Sequence, residues 1–258
     1  MKFACGIVLY KPSLENIKHM KMIFSQFENI LIYENSNYEY QNYFEENENV
    51  TYICTGKNNG LAAAYNCFLI LSRKLGIDIL CLLDQDSMMT VDNIIKMKDF
   101  IARNSSENIV VFAPRLRGTR GKNWVINSNS FLNIHAVNEK ALKYDEAYFL
   151  DRLDADFCKQ IIDKGLRIKC NEELLVEHRI GYGKNNEHSA VRHYYMFRNR
   201  IYFNYKFYSK LKAAGLTLLQ SFKHLASIIL FETDRKNKIA ACLDGIRDYK
   251  RMGKKDAS

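Results

Sequence analysis

The sequence predicts an α/β protein: a mostly parallel sheet with helices on both faces, followed by a basic helical C-terminal extension. Three observations carry that reading. Short apolar runs alternate with amphipathic segments up to Pro114, the pattern of right-handed βαβ units. Each run ends in polar residues or glycine, and a parallel sheet gathers such exits along one edge. The net charge of +9 is uneven: from Arg200 onward there are thirteen Lys/Arg against five Asp/Glu, whereas residues 1–50 hold more acids than bases.

Phe3–Tyr10 reads as a first strand, closed by Lys11-Pro12 and a Ser13 cap. Residues 14–27 place Leu14, Ile17, Met20, Ile23/Phe24 and Phe27 at helical spacing. Ile30–Tyr33 is a second strand that exits into Glu34-Asn35-Ser36-Asn37. Val50–Cys54 is a third, exiting into Thr55-Gly56-Lys57-Asn58-Asn59-Gly60. Leu61–Leu75 is a helix stopped by Gly76, Ile79–Leu83 a buried strand, Thr90–Asn104 a helix and Ile109–Phe112 a strand. Beyond Pro114 the alternation breaks. Trp124–Ile134 reads as strand material, Asp154 to Gly165 as a helix, and Glu173–Glu177 as a strand.

The apolar fraction of 47% supports a real core. Seven cysteines, odd in number and without Cys-x-x-Cys, argue against a disulfide framework or zinc site and for reduced thiols in a cytosol. Met1-Lys2 runs directly into the first strand with no cleavage site, so no signal peptide is expected.

Asp84-Gln85-Asp86-Ser87 stops the strand at two carboxylates spaced i, i+2. They repel unless a cation lies between them, and a divalent ion holding a diphosphate is the natural one. A helix N-cap explains an isolated Asp-x-Asp equally well. The neighbouring exits, including Tyr10, Glu34 and Asn59-Gly60, make a nucleotide pocket. No Gly-x-Gly-x-x-Gly follows the first strand and no Walker-type Gly-Lys-Ser/Thr occurs, which excludes a Rossmann or P-loop site.

In the second half, acids crowd Tyr144–Cys158. Asp151 and Asp154 fall at a helix start, whose dipole keeps carboxylates ionised. One such carboxylate can act as general base for an acceptor hydroxyl; the residues alone do not select among Asp151, Asp154 and Asp156.

The ordered set Glu34-Asn35-Ser36, Asn58-Asn59-Gly60-Leu61-Ala62-Ala63-Ala64-Tyr65-Asn66 and Leu82-Leu83-Asp84-Gln85-Asp86-Ser87 resembles family-2 glycosyltransferases with the GT-A fold. The Asp-Gln-Asp-Ser form is similar to the bacterial rhamnosyltransferase branch of O-antigen and capsule synthesis, and the resemblance spans about residues 3–200. It implies nucleotide contacts at Tyr10, Glu34, Asn59, Gly60 and Asp84, and metal ligation (Mg2+ or Mn2+) by Asp86, Asp84 and His178. The family more often has Asp where Glu34 stands. The block Phe149-Leu150-Asp151-Arg152-Leu153-Asp154-Ala155-Asp156-Phe157-Cys158 is similar to the family's acidic motif. That similarity implies Asp154 as base, with Asp151 and Asp156 in support. His178-Arg179-Ile180-Gly181 matches a His-x-x-Gly. Arg192-His193-Tyr194-Tyr195-Met196-Phe197-Arg198-Asn199 resembles an Arg-x-Tyr-Tyr-x-x-Arg-Asn stretch, which implies diphosphate or acceptor contacts at Arg192 and Arg198. The two arginines are expected to converge if residues 183–192 form a loop.

The expected division is a catalytic domain over 1–200, with a nucleotide-sugar half (1–114) and an acceptor half (115–200), then the extension over 201–258. In that extension Leu218/Leu219, Phe222, Leu225/Ala226 and Ile229 form an apolar stripe opposite Gln220, Lys223, His224 and Ser227. The stripe reads as too short and interrupted to span a bilayer, but suited to an anionic membrane surface or a homodimer contact. The expected activity is inverting, metal-dependent transfer of a sugar, with rhamnose on dTDP the first choice and UDP-linked galactose, galactofuranose or glucose the alternatives. The acceptor is a saccharide, lipid-linked by family resemblance, at the inner face of the plasma membrane. The alternative from a different class is a basic nucleic-acid-binding protein; an acidic cleft with its basic residues confined to the tail opposes it, so no nucleic-acid partner is expected.

Overall fold

The structure is a computed structural model that describes residues 1–37, 40–87, 89–116, 124–176 and 187–252. The chain divides into two compact units, one of Met1–Asp145 with Asp154–Arg179 and the other of Glu146–Leu153 with Ile180–Ser258. This differs from the expected boundary at 200. The helix from Ala190 belongs with the C-terminal helices because its Arg198 and Asn199 bond the 146–153 segment and its Tyr194 bonds Asp248.

The first unit is a seven-stranded sheet. Its strands are β1 (Phe3–Leu9), β2 (Asn29–Glu34), β3 (Val50–Cys54), β4 (Ile79–Asp84), β5 (Ile109–Leu116), β6 (Ser130–Asn133) and β7 (Arg167–Val176). Their order is β3-β2-β1-β4-β6-β5-β7, and β6 alone runs against its neighbours. Five helices accompany it: α1 (Leu14–Met22), α2 (Leu61–Lys74), α3 (Val91–Asn104), α4 (Ile134–Glu139) and α5 (Leu153–Asp163). β1 and β4 are continuous apolar runs because both faces are covered. At Gly6 the missing side chain admits the Phe68 ring of α2, whose Cδ2 lies 2.7 Å from where a Cβ would be.

The helix expected over 14–27 ends earlier, at Met22, and a 3-10 turn covers Phe24–Gln26. Ser13 caps α1 through the Asn16 amide, as its position implied. Of the expected 124–134 strand only Ser130–Asn133 forms. Residues before it spend their polar groups on loop bonds, and Asn133 turns the chain into α4 by capping it. All seven cysteines are free thiols.

The second unit contains α6 (Ala190–Phe207), α7 (Lys210–Phe231) and α8 (Arg235–Asp248). Phe197, Ile228 and Cys242 form its small core. α7 corrects the sequence reading: it is uninterrupted over 22 residues, long and apolar enough by length and composition to cross a membrane. Only 6% of its most apolar window is buried.

Candidate functional site

The strand exits of the first unit build the site. After β4 the chain makes a turn in which the Ser87 amide bonds the Asp84 carbonyl at 3.0 Å and the Ser87 hydroxyl accepts from the Asp84 amide at 2.9 Å. Thr90 caps α3 instead, so neither Asp84 nor Asp86 is a helix cap. Asp86 is exposed and Asp84 half-buried. Gln85, between them, clamps the β1 exit: it accepts from the Tyr10 amide at 2.8 Å and donates to the Tyr10 carbonyl at 3.2 Å. The Tyr10 ring is left exposed.

At the next exits, Glu34 is fully buried. Its carboxylate accepts from the Ser36 and Tyr52 hydroxyls and faces the interior; the resemblance had placed it beside the nucleotide. Asn35, which sequence reasoning passed over, holds the following loop: its Oδ1 accepts from the Asn59 amide (3.2 Å) and its Nδ2 donates to the Gly60 carbonyl (3.2 Å). The Asn59 side chain donates to Tyr33 and Thr55 hydroxyls at 3.0 and 2.5 Å. Gly60 begins α2 with φ +83°, a left-handed value that only glycine adopts cheaply.

Asp154 lies in the first turn of α5, half-buried, and its Oδ1 accepts from the Asn127 amide at 3.2 Å. Asp156 is buried and accepts from Gln160 at 2.6 Å. Tyr65 relates Asp154 to the β4 exit. Its hydroxyl meets Asp84 Oδ1 at 3.5 Å. Burial, then the charges of Asp84 and Asp154, push its pKa well above the ordinary value, so the phenol stays a donor. Tyr144 behaves alike, raised by burial and then by Asp154. It stacks on Phe157 with ring centroids 4.3 Å apart and donates to Asn127 Oδ1 at 2.9 Å. A second seam joins Ser87 to Ser128 at 2.9 Å, and the Asn129 amide to the Leu82 carbonyl at 2.8 Å. The polar run Asn127-Ser128-Asn129-Ser130 was the available signal for these contacts; Tyr65 and Tyr144 stood inside quoted stretches, but no role was read for either.

The two predicted arginines belong to the second unit. Arg192 and Arg198 lie on one continuous helix, α6, so the loop expected to make them converge is absent at Arg192. Both bind the 146–153 segment: Arg192 pairs with Asp151 at 3.3 Å, and Arg198 donates to the Ala147 carbonyl at 3.2 Å while lying over the Tyr195 ring. Asn199, unassigned from sequence, donates to the Leu150 and Asp151 carbonyls at 2.5 and 3.0 Å. Those bonds hold Asp151 and Arg152 in successive left-handed conformations, φ +59° and +70°. His178 lies outside the described residues.

Chemically, the first unit thus presents two oxygen-donor carboxylates at a strand exit and a third on a helix start, with the protonated Tyr65 phenol bonded to Asp84 and within the charge of Asp154. Hard oxygen donors of this kind fit Mg2+ or Mn2+.

The chain is similar to known proteins in sequence and in fold. The chain is 26% identical over 97% of its length, and 97% of the other's, to the dTDP-rhamnosyl transferase RfbF of Shigella flexneri. Residues 1–349 of S. aureus TarS in complex with UDP-GlcNAc superpose with a TM-score of 0.57 at 13% identity, covering 96% of this chain and 81% of that one. A second crystal structure of the same TarS fragment gives a TM-score of 0.52 at 11% identity, over 99% and 73%. The fold is accordingly GT-A. The Glycosyl transferase family 2 model matches residues 12–164, from the β1 exit through α5. Since that stretch is more than half of the sequence and holds both the Asp84–Asp86 turn and Asp154, the chain belongs to glycosyl transferase family 2.

Proposed function

We propose that the protein is an inverting, metal-dependent hexosyltransferase that moves rhamnose from dTDP-rhamnose to a saccharide acceptor in bacterial surface-polysaccharide synthesis. The observation that carries the mechanism is Tyr65, whose phenol meets Asp84 and feels the charge of Asp154. Leaving-group and nucleophile chemistry can therefore share one edge of the sheet.

Asp86 and Asp84 would hold the metal, which when bound neutralises charge on the diphosphate. The donor nucleotide lies by Tyr10, Asn59 and Gly60. Asp154 accepts the proton of the acceptor hydroxyl as the acceptor oxygen bonds the anomeric carbon and the diphosphate oxygen departs from the opposite face. Half-burial suits Asp154 to this role; Asp156 is closed off and bonded to Gln160. The identity to the Shigella flexneri rhamnosyl transferase supports dTDP-rhamnose. A UDP-sugar is the second reading, favoured by the UDP-GlcNAc bound to TarS, whose fold this chain shares.

A cytoplasmic location at the inner face of the plasma membrane is part of the proposal. Leu211, Leu218, Phe222 and Phe231 of α7 are at least 70% exposed, and Lys210, Lys212 and Lys223 flank them. An apolar face rimmed by lysine suits an anionic lipid interface.

The deciding experiment is nucleotide-sugar hydrolysis and transfer across a panel of dTDP- and UDP-sugars, with and without Mg2+ or Mn2+. Turnover of dTDP-rhamnose above all others is expected, and a clear preference for a UDP-sugar would replace rhamnose in this reading.

A further inference from the structure

The second unit contains a cleft of its own, about 680 Å3 in volume. Its walls come from one face of α6 (His193, Met196, Arg200) and the polar face of α7 (Gln220, Lys223, His224, Ser227), the stripe that sequence analysis noted but gave no role. Arg152 and Glu187 close it.

Two guanidiniums dominate its chemistry. Arg152 is half-buried and, among the described residues, makes no hydrogen bond or ion pair; its guanidinium carbon lies 5.6 Å from the Phe203 ring centroid. Five donors without an acceptor are costly in a half-buried place. Arg200 is close enough for Arg152 to depress its pKa, which burial and that repulsion bring to about 10. It donates to the Gln220 carbonyl at 3.0 Å and to His224 Nδ1 at 2.8 Å, which leaves further N–H groups. Arg152 is also aimed by strain, since Asp151 and Arg152 are both left-handed and Asn199 holds the preceding carbonyls. Such strain persists only where its surroundings impose it.

The carboxylates of the cleft do not cancel this charge. Glu187 and Glu232 both bind buried Lys238, at 2.6 and 2.8 Å. Of the groups lining the cleft, Arg152, Arg200 and Lys223 against Glu187 and Glu232 leave a net charge of +1 with the histidines neutral. Lys238 behind the two glutamates adds a further positive charge, and Asp151, whose charge also acts on Arg152, is paired with Arg192.

A metal is the other chemistry to weigh, because His193, His224 and Cys242 bring three ligand atoms together. The hydrogen-bond register opposes it. Arg200 can only donate, so His224 Nδ1 accepts and the proton is on Nε2. Nε2 then donates to His193 Nδ1 at 2.8 Å, and His193 Nε2 donates to Glu232 at 2.9 Å. Neither inward-facing nitrogen has a lone pair to spare for an ion without breaking this chain.

We propose that the cleft is an anion site for a phosphate or diphosphate group, held between Arg152 and Arg200 with Lys223 at the rim. It uses none of the residues assigned to the nucleotide-sugar site and does not depend on the donor assigned above. Planar guanidiniums match phosphate oxygens in pairs, and a bridging anion would satisfy the donors of Arg152 and relieve its repulsion with Arg200.

The test follows the His224 ring signals by NMR in the full-length protein, in EDTA, during titration with inorganic pyrophosphate. A second arm uses vesicles of phosphatidylglycerol against phosphatidylcholine. Saturable movement of His224 with pyrophosphate, weakened about tenfold or more in Arg152→Met and Arg200→Met, is expected for a soluble phosphate ligand. Movement with phosphatidylglycerol vesicles alone, weakened by the same substitutions, assigns the anion to a lipid headgroup. Arg152 makes no hydrogen bond in the described fold, so Arg152→Met tests the site without removing one. No response of His224 to either probe in the wild-type protein, or a response unchanged in both variants, overturns the proposal.

Discussion

The Asn127 backbone amide donates to Asp154 Oδ1 at 3.2 Å, while the Asn127 side chain accepts from the Tyr144 hydroxyl at 2.9 Å. One loop residue thus fixes the carboxylate and is itself fixed by a buried phenol. Asp154→Asn should lower kcat by about 10²–10⁴-fold, the usual weight of a general base, with donor affinity nearly unchanged by calorimetry. Asp156→Asn alters a buried carboxylate bonded to Gln160. Its effect should therefore appear in thermal stability first, with measurable turnover remaining. The reverse ranking of the two variants would move the base to Asp156.

Removal of divalent ions provides the second check. Excess EDTA should stop transfer, and added Mn2+ or Mg2+ should restore it. Asp86→Ala should require more metal for half-maximal rate than the wild type. Full activity in chelator would leave the exposed Asp86 without an essential ion.

Two glycines separate space from backbone conformation. Gly6→Ala places a methyl 2.7 Å from the Phe68 ring, which is wholly buried. Overpacking of that kind costs about 1–3 kcal/mol and should lower the unfolding midpoint without touching the donor site directly. Gly60→Ala instead meets φ +83° at the start of α2. It should cost at least about 1 kcal/mol and also weaken nucleotide binding, because the loop itself must shift. Equal nucleotide affinity in both variants would remove the 59–60 loop from the donor site.

Acid should loosen the second unit before the first. Burial, then Arg200 and His193, hold His224 neutral down to about pH 4, against an ordinary histidine value of 6.5. Between those values the unfolded chain binds the extra proton and the folded one does not, so stability falls as pH falls through that window. The groups facing His224 are Arg200, His193, His188 and Glu232. Glu187, brought down to about 2 by Lys238 and Thr233, loses its contribution only below about pH 4.5, which separates the two effects. Urea midpoints at about pH 7 and 5 should differ in the wild type and differ less in His224→Gln, where His188, also held below the ordinary value by burial, keeps the remaining part. Identical midpoints in the wild type would contradict the buried neutral imidazole.

The sheet was legible because each strand and its terminator are contiguous: Ile79–Leu83 and Asp84 announce a buried strand and a working edge in one stretch. The polar face of α7 was legible, Gln220, Lys223, His224 and Ser227 falling together; its length was misjudged because those residues were counted as interruptions, although the whole 22-residue helix is apolar enough on average. Glu34 read as a nucleotide contact, yet its carboxylate turns inward; the Ser36 and Tyr52 hydroxyls that capture it show their role only once β2 and β3 pair. Tyr65 stood inside a quoted motif, but its role was unreadable for a similar reason. Its neighbours Asp84 and Asp154 are 19 and 89 residues away.

The reversed strand β6 has a consequence for what a substitution at its start would disturb. A parallel strand offers the working edge only its last residues, but β6 pairs Ser130 with Leu82 and so begins at that edge. Asn127, Ser128 and Asn129 reach Asp154, Ser87 and Leu82 on their way into the sheet. The far end of β6, at Asn133, is anchored separately by its bond to Ile109 and its cap on α4. The lead-in before Ser130 is buried and bonded to both Asp154 and the β4 exit, so a substitution there would disturb the two together while the strand behind it keeps its register.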